Sequence, residues 1–136
     1  MGDVTKRVLV IPFEKADETM RFERGRADIA HFPAGTVTRW ILEPGWRWSS
    51  HIGSAQGLAL CPTPHLGYLV AGRMVISTPD GQTTRLSPGD AFAIPPAHDG
   101  WVEGDEPCVR IDVAATRHPQ RHPRAPTTPT PGRVAG

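Results

Sequence analysis

The sequence predicts an all-β fold, an antiparallel sandwich or small barrel of about nine short strands. Three observations predict it. Short apolar or alternating runs recur at regular spacing as far as residue 115. Glycine and proline, at 14 and 15 residues, are dense enough to end each run in a tight turn. No stretch sustains the apolar period of a long helix.

Residues 1–7 read as a frayed start, and Val8 to Phe13 as a first strand. The charged stretch from Glu14 to Glu23 suits one helical turn or a loop. Arg26 to Phe32 alternates polar and apolar, the pattern of a half-buried strand. After Pro33-Ala34-Gly35, the β-branched run Thr36 to Leu42 is another strand. Glu43-Pro44-Gly45 turns into a fourth strand, Trp46 to Ile52, with Trp46 and Trp48 on one face and Arg47, Ser49 and His51 on the other. Gly53 to Pro64 breaks the pattern as a loop. His65 to Ala71 is a strand that ends at Gly72. Met74 to Thr78 and Gln82 to Leu86 form a hairpin, because Asp80-Gly81 supplies the positive φ angles of a tight turn. Pro88 and Gly89 occupy the central positions of a type II turn. Ala91 to Ile94, Trp101 to Glu103 and Val109 to Val113 complete the set.

The composition excludes several classes. A hydrophobic content of 38% supports one modest core. The net charge of +1 hides an uneven distribution: the body carries −3, and the segment from Thr116 carries four arginines and no acid. That segment, with five prolines, cannot bury a core, so the chain divides into a β domain over 8–115 and a disordered, Pro/Arg-rich tail over 116–136. The tail lacks the interleaved aromatics of a nucleic-acid site, and specific nucleic-acid binding is not expected. The two cysteines, Cys61 and Cys108, make no disulfide scaffold and read as thiols. The run Val8 to Phe13 is short for a signal segment, and nothing is long enough to span a membrane, so a cytoplasmic protein is expected. Dinucleotide, P-loop, zincin and nucleophile-elbow motifs are absent.

Three spacings carry a family resemblance. Gly45 is followed after five residues by His51, His65 after six residues by Gly72, and Gly89 after five residues by Pro95. They resemble the two cupin motifs. The runs Glu43 to Trp48, His65 to Tyr68 and Ile94 to Trp101 with Gly104 to Pro107 are similar to a group of small bacterial cupins. The resemblance implies a jelly-roll β-sandwich, often dimeric, that usually holds a metal with three histidines and one glutamate. This chain departs from it at four positions: Gly53 replaces the second histidine, His65 the glutamate, Gly100 the second-motif histidine, and no asparagine follows.

Strand parity puts positions 98 and 100 on one side, so His98 could supply the imidazole that Gly100 lacks. His51, His65 and His98 would then hold a divalent transition metal (zinc, iron, nickel or copper) with open positions for water or substrate. Against that stands a pocket in which these histidines only hydrogen-bond. Arg47 is placed to clamp an anion or to lie on the surface, and Tyr68, Trp48 and Trp101 to line a substrate pocket or fill the core. Cys61, four residues before His65, is either a soft metal ligand or a buried thiol, and Cys108 reads as core. Asp99 and Glu103 point outward by parity, His31 reads as a sheet-edge residue, and His118 and His122 as solvated. No catalytic residue is assigned. The expected function is that of a small-molecule-binding cupin, a metal-dependent enzyme of isomerase, cyclase or oxygenase type acting on a small organic or natural-product substrate. The alternative is a metal-free ligand-binding or regulatory barrel. A homodimer is expected from an N-terminal strand that pairs across a two-fold axis and covers an open sheet edge.

Overall fold

The computed structural model describes residues 7–116. Within them nine strands form two antiparallel sheets. Strands β1 (Glu18–Phe22), β2 (Gly25–Phe32) and β3 (Gly35–Leu42) run as a meander. After a long connection come β4 (His65–Ala71), β5 (Met74–Ser77), β6 (Thr83–Leu86), β7 (Ala91–Ile94), β8 (Asp99–Val102) and β9 (Cys108–Ala115). The larger sheet has the order β1-β2-β3-β9-β4-β7 and the smaller one β6-β5-β8. The last strand is therefore central: β9 aligns Cys108 with Leu42 on one side and Asp112 with Gly67 on the other. The core between the sheets is sealed by Leu42, Leu69, Met74 and Cys108, all fully buried. Both cysteines are free thiols.

Turn chemistry sets the registers. The Asp80-Gly81 hairpin pairs Ser77 with Thr83, and Gly81 adopts φ 88°. Gly89 adopts φ 98° in the turn closed by the Asp90 N–H on the Ser87 carbonyl at 3.0 Å.

Four expected elements differ. The charged stretch Glu14 to Glu23, read as a helical turn or a loop, supplies strand β1 over Glu18–Phe22, because all five residues find ladder partners on β2. Val8 to Phe13 is not a strand: Val8 and Val10 are 91% and 78% exposed, and a 3-10 turn covers Phe13–Lys15. A strand needs a ladder partner, and the free side of β2 is taken by β1. Trp46 to Ile52 keeps its alternation only as far as Trp48, where Arg47 makes a single bridge to Trp101. From Ser49 the chain coils into helical turns over Ser49–Gly53 and Ser54–Gln56. The cause is non-local: the Asp99 carboxylate on β8 takes the Ser49 N–H at 3.0 Å and its hydroxyl at 2.8 Å, capping the turn from another strand. The eighth strand begins at Asp99 rather than Trp101. Among the described residues no helix is long and apolar enough to cross a membrane. The tail over 116–136, with His118 and His122, lies beyond the described residues apart from Thr116 itself.

Candidate functional site

The site is built on β4 and β9. His65 opens β4 with its ring turned between the sheets, where its Nδ1 donates to Asp112 Oδ2 at 2.8 Å. The same carboxylate accepts Trp40 Nε1 at 3.0 Å and a bidentate pair from Arg110, both bonds at 3.0 Å. Burial alone would favour the neutral acid. The bond from His65 and the Arg110 charge outweigh it and hold Asp112 below the ordinary carboxylate range. Burial also disfavours an imidazolium at His65, yet the Asp112 bond raises its pKa above the ordinary value. With Nδ1 engaged, His65 presents Nε2 to the interior.

His98 reaches the same place from the β7–β8 connection. Its Nδ1 donates to the Pro95 carbonyl at 2.7 Å, which leaves Nε2 to face Cys61. Ala97, just before it, adopts φ 68°, a left-handed conformation costly for a residue with a Cβ. The Ala97 N–H bond to the Cys61 carbonyl, at 2.7 Å, stabilises it there. Cys61 and His98 also exchange backbone bonds as an isolated bridge. That bridge is what brings Cys61 into the site. Its Sγ lies 3.8 Å from His65 Nε2, and the ligand atoms of Cys61, His65 and His98 all fall within 4.8 Å of one another. Burial alone would raise the Cys61 thiol; bonds from His65 and His98 reverse this and bring it to about 6. Cys108, buried without such partners, is pushed up to about 12.

The three residues form part of the wall of a cavity of about 240 Å³. Trp40, Trp46, Trp48, Met74 and Ile76 make it largely apolar. Trp46 Nε1 is buried without a hydrogen-bond partner.

Of the residues singled out from sequence, the structure brings together Cys61, His65, His98 and Trp48 in this cavity. It does not bring His51, which belongs to the helical turn rather than to a strand. The His51 Nδ1 receives the Arg47 N–H at 3.0 Å, and its Nε2 lies 3.9 Å from Glu23. Arg47 turns to Asp99 at 3.0 Å and stacks over Trp101 at 4.0 Å, and neither Arg47 nor Trp101 lines the cavity. Tyr68 is 47% exposed, because its parity on β4 is opposite to that of His65. Asp99 is buried rather than outward, its carboxylate taken up by Ser49, Arg47 and Gly100. Glu103 pairs with Arg85 at 3.0 Å, and His31 is exposed on β2, an interior strand of the sheet rather than its edge, with its ring 3.1 Å from Glu18. Sequence reasoning missed Asp112, Arg110 and Trp40. A signal for the first two existed: both fall on one face of β9 while Val109, Ile111 and Val113 fall on the other.

The sequence profile of the family described as "Cupin domain" matches residues 62–114, which span β4 to β9 and contain His65, His98 and Asp112. The two-sheet fold is shared with the polyketide cyclase RemF from Streptomyces resistomycificus (18% identity, 80% of each chain, TM-score 0.58). It is shared equally with a sugar phosphate isomerase of the cupin superfamily from Silicibacter pomeroyi (18% identity, 82% of this chain and 77% of that one, TM-score 0.58).

The chain carries a small cupin domain.

The fold is also shared with a protein with a double-stranded β-helix domain from Klebsiella pneumoniae (15% identity, 80% of this chain and 90% of that one, TM-score 0.54). No curated protein matches the cupin in sequence. Against the family pattern, its donors have moved. A Cβ on Gly53 would run into the Trp48 ring, so no imidazole fits at that position. Gly100 faces the cavity with no side chain at all. The donors available to a divalent ion are instead Cys61, His65 and His98. In a tetrahedral site with bonds of about 2.0–2.3 Å, neighbouring ligand atoms stand roughly 3.3–3.6 Å apart. The separation of 3.8 Å between Cys61 and His65 is close to this, and small side-chain rotations would close the rest. Two imidazoles with engaged Nδ1–H groups and one low-pKa thiol are a donor set suited to zinc, iron, nickel or copper.

Proposed function

We propose that this cupin acts on a small molecule with the help of a divalent transition metal held by Cys61, His65 and His98. The observation that carries the reading is the convergence of those three donor atoms within 4.8 Å in the wall of an apolar cavity. Three protein ligands leave at least one position open, as catalytic sites do. Bound there, the ion supplies Lewis-acid polarisation of a substrate oxygen. Asp112 fixes the tautomer and orientation of His65. Arg110 neutralises Asp112, and Trp40 holds it in place. The indole and thioether walls exclude water and strengthen every electrostatic contact inside. Isomerase, cyclase and oxygenase chemistry are all open to such a site.

One observation favours a metal-free ligand-binding barrel instead. The Cys61 thiol already has His65 Nε2 beside it at 3.8 Å, so a thiolate–imidazolium pair satisfies both groups without an ion. Elemental analysis of the full chain, as purified and after supply of zinc, iron or cobalt, separates the two. The metal reading expects an ion that is lost in Cys61→Ser and in His98→Ala but retained in His51→Ala. It also expects a thiolate-to-metal charge-transfer band with cobalt. A wild-type chain that holds none of these ions leaves the metal-free reading standing.

A further inference from the structure

The lining of the cavity also limits what it accepts, first of all by charge. Among the described residues, Arg110 is the only lysine or arginine in its lining. That guanidinium is closed by the bidentate pair with Asp112 and covered by the rings of Trp40, at 5.3 Å, and Phe92, at 5.7 Å. Arg47, between Trp46 and Trp48 in the chain, is paired with Asp99. Among the described residues, a phosphate brought into the metal-free cavity would meet no lysine or arginine that is not already paired, and an unpaired buried charge costs several kcal/mol or more. The walls point the same way. Three tryptophans, Trp40, Trp46 and Trp48, and two methionines, Met20 and Met74, offer faces and sulfur atoms that pack best on a flat π-system.

Size and shape narrow the choice further. The volume, about 240 Å³, lies below the roughly 300 Å³ at which drug-sized pockets begin. Part of that space exists because residue 100 has no side chain. A Cβ there would meet Ile76 Cδ1 at 3.0 Å and Met74 Cε at 3.8 Å, both the movable ends of flexible side chains.

From these features we infer that the cavity binds a flat, uncharged aromatic molecule of one or two rings that bears no phosphate, seated beside Gly100. Gly100 is then a specificity-determining position. The inference rests on the reading of this cavity as the working site, but the binding it describes does not need the metal.

The test uses the full chain, chelator-treated and metal-supplied, titrated with 2-naphthol and with glucose 6-phosphate by calorimetry. Saturable 1:1 binding of 2-naphthol in both preparations is the expected result, with none of the sugar phosphate. Gly100→Leu should weaken 2-naphthol by about tenfold or more while leaving metal content unchanged. Should that variant fold poorly, the wild type gives a second readout: 2-naphthol should slow alkylation of Cys61 by iodoacetamide. Binding of glucose 6-phosphate in competition with 2-naphthol overturns the inference. So does 2-naphthol binding that neither Gly100→Leu weakens nor Cys61 alkylation registers, since the probe is then on the outer surface. A chain that binds 2-naphthol but no metal refutes only the metal reading, and one that binds metal but not 2-naphthol refutes only this inference.

Discussion

Asp112 is the residue on which the site's polar groups depend. One carboxylate receives an imidazole, an indole and a guanidinium, and each donor is buried or half-buried. Asp112→Asn keeps the shape and removes the charge. Arg110, 5% exposed, is then left as a buried cation without a counter-ion, which costs about 3 kcal/mol of stability in urea denaturation. His65 loses the partner that fixes its tautomer, and metal affinity, measured against a competing chelator, falls about 10–100-fold. A variant as stable as the wild type with unchanged affinity would mean that Asp112 orients nothing.

At the scale of elements, Asp28 shows how charge can hold a sheet edge together. It sits on β2 and accepts from Thr19 on β1, Arg26 on β2 and Arg39 on β3. Burial disfavours its ionised form, but Arg39 and Arg26 outweigh burial and lower its pKa below the ordinary 3.8. A carboxyl whose pKa is lowered by folding stabilises the fold in full above its ordinary value. That contribution is lost as pH falls from 3.8 through the lowered folded value. Asp28→Asn should cost about 2 kcal/mol at neutral pH. The gap to the wild type, followed by urea melts across the acid range, should narrow below 3.8. A gap that stays constant into strong acid would show that the charge of Asp28 is not what matters. The helical turn after Trp48 depends on a comparable cross-element contact. Asp99→Ala removes the acceptor of Ser49 and Arg47, and a loss of about 2 kcal/mol is expected in the same assay.

For the whole molecule, the arrangement of β4 and β9 is inverted relative to a half-solvated sheet. Their inward faces carry His65, Arg110 and Asp112. Their outward faces carry Leu66, Tyr68, Val70 and Val113, each 44–56% exposed. Ala93 and Ala91 on β7 stand beside Leu66 and Tyr68 and extend this uncharged face. The apolar stretch Val8 to Val10 is exposed as well. An uncharged face meets no like-charge repulsion from a copy of itself across a two-fold axis, and exposed apolar patches mark interaction surfaces. We therefore expect two copies to pack through these faces. Sedimentation equilibrium should give twice the 14.8 kDa chain mass, and the double variant Leu66→Glu, Tyr68→Glu should return a monomer. A wild-type chain that sediments at 14.8 kDa at every concentration would rule the dimer out.

The sequence by itself determined what depends on near neighbours. Turn residues such as Asp80-Gly81 and Pro88-Gly89 act over two to four positions, and alternation along β2, β3, β4 and β9 acts over a period of two, so both are legible in a linear chain. His65 and His98 were legible for the same reason, as ends of predictable strands and turns. The tertiary structure decided the rest, because it depended on which distant groups meet. Cys61 enters the site through its backbone bridge to His98, 37 positions later in the chain. His51 leaves it because Asp99 caps Ser49 and bends the chain into a helical turn. Asp112 becomes the orienting carboxylate only because the last strand pairs between β3 and β4, which no local pattern in the chain encodes. A cavity's chemistry is set by side chains that converge in space, and convergence is a property of strand order rather than of spacing.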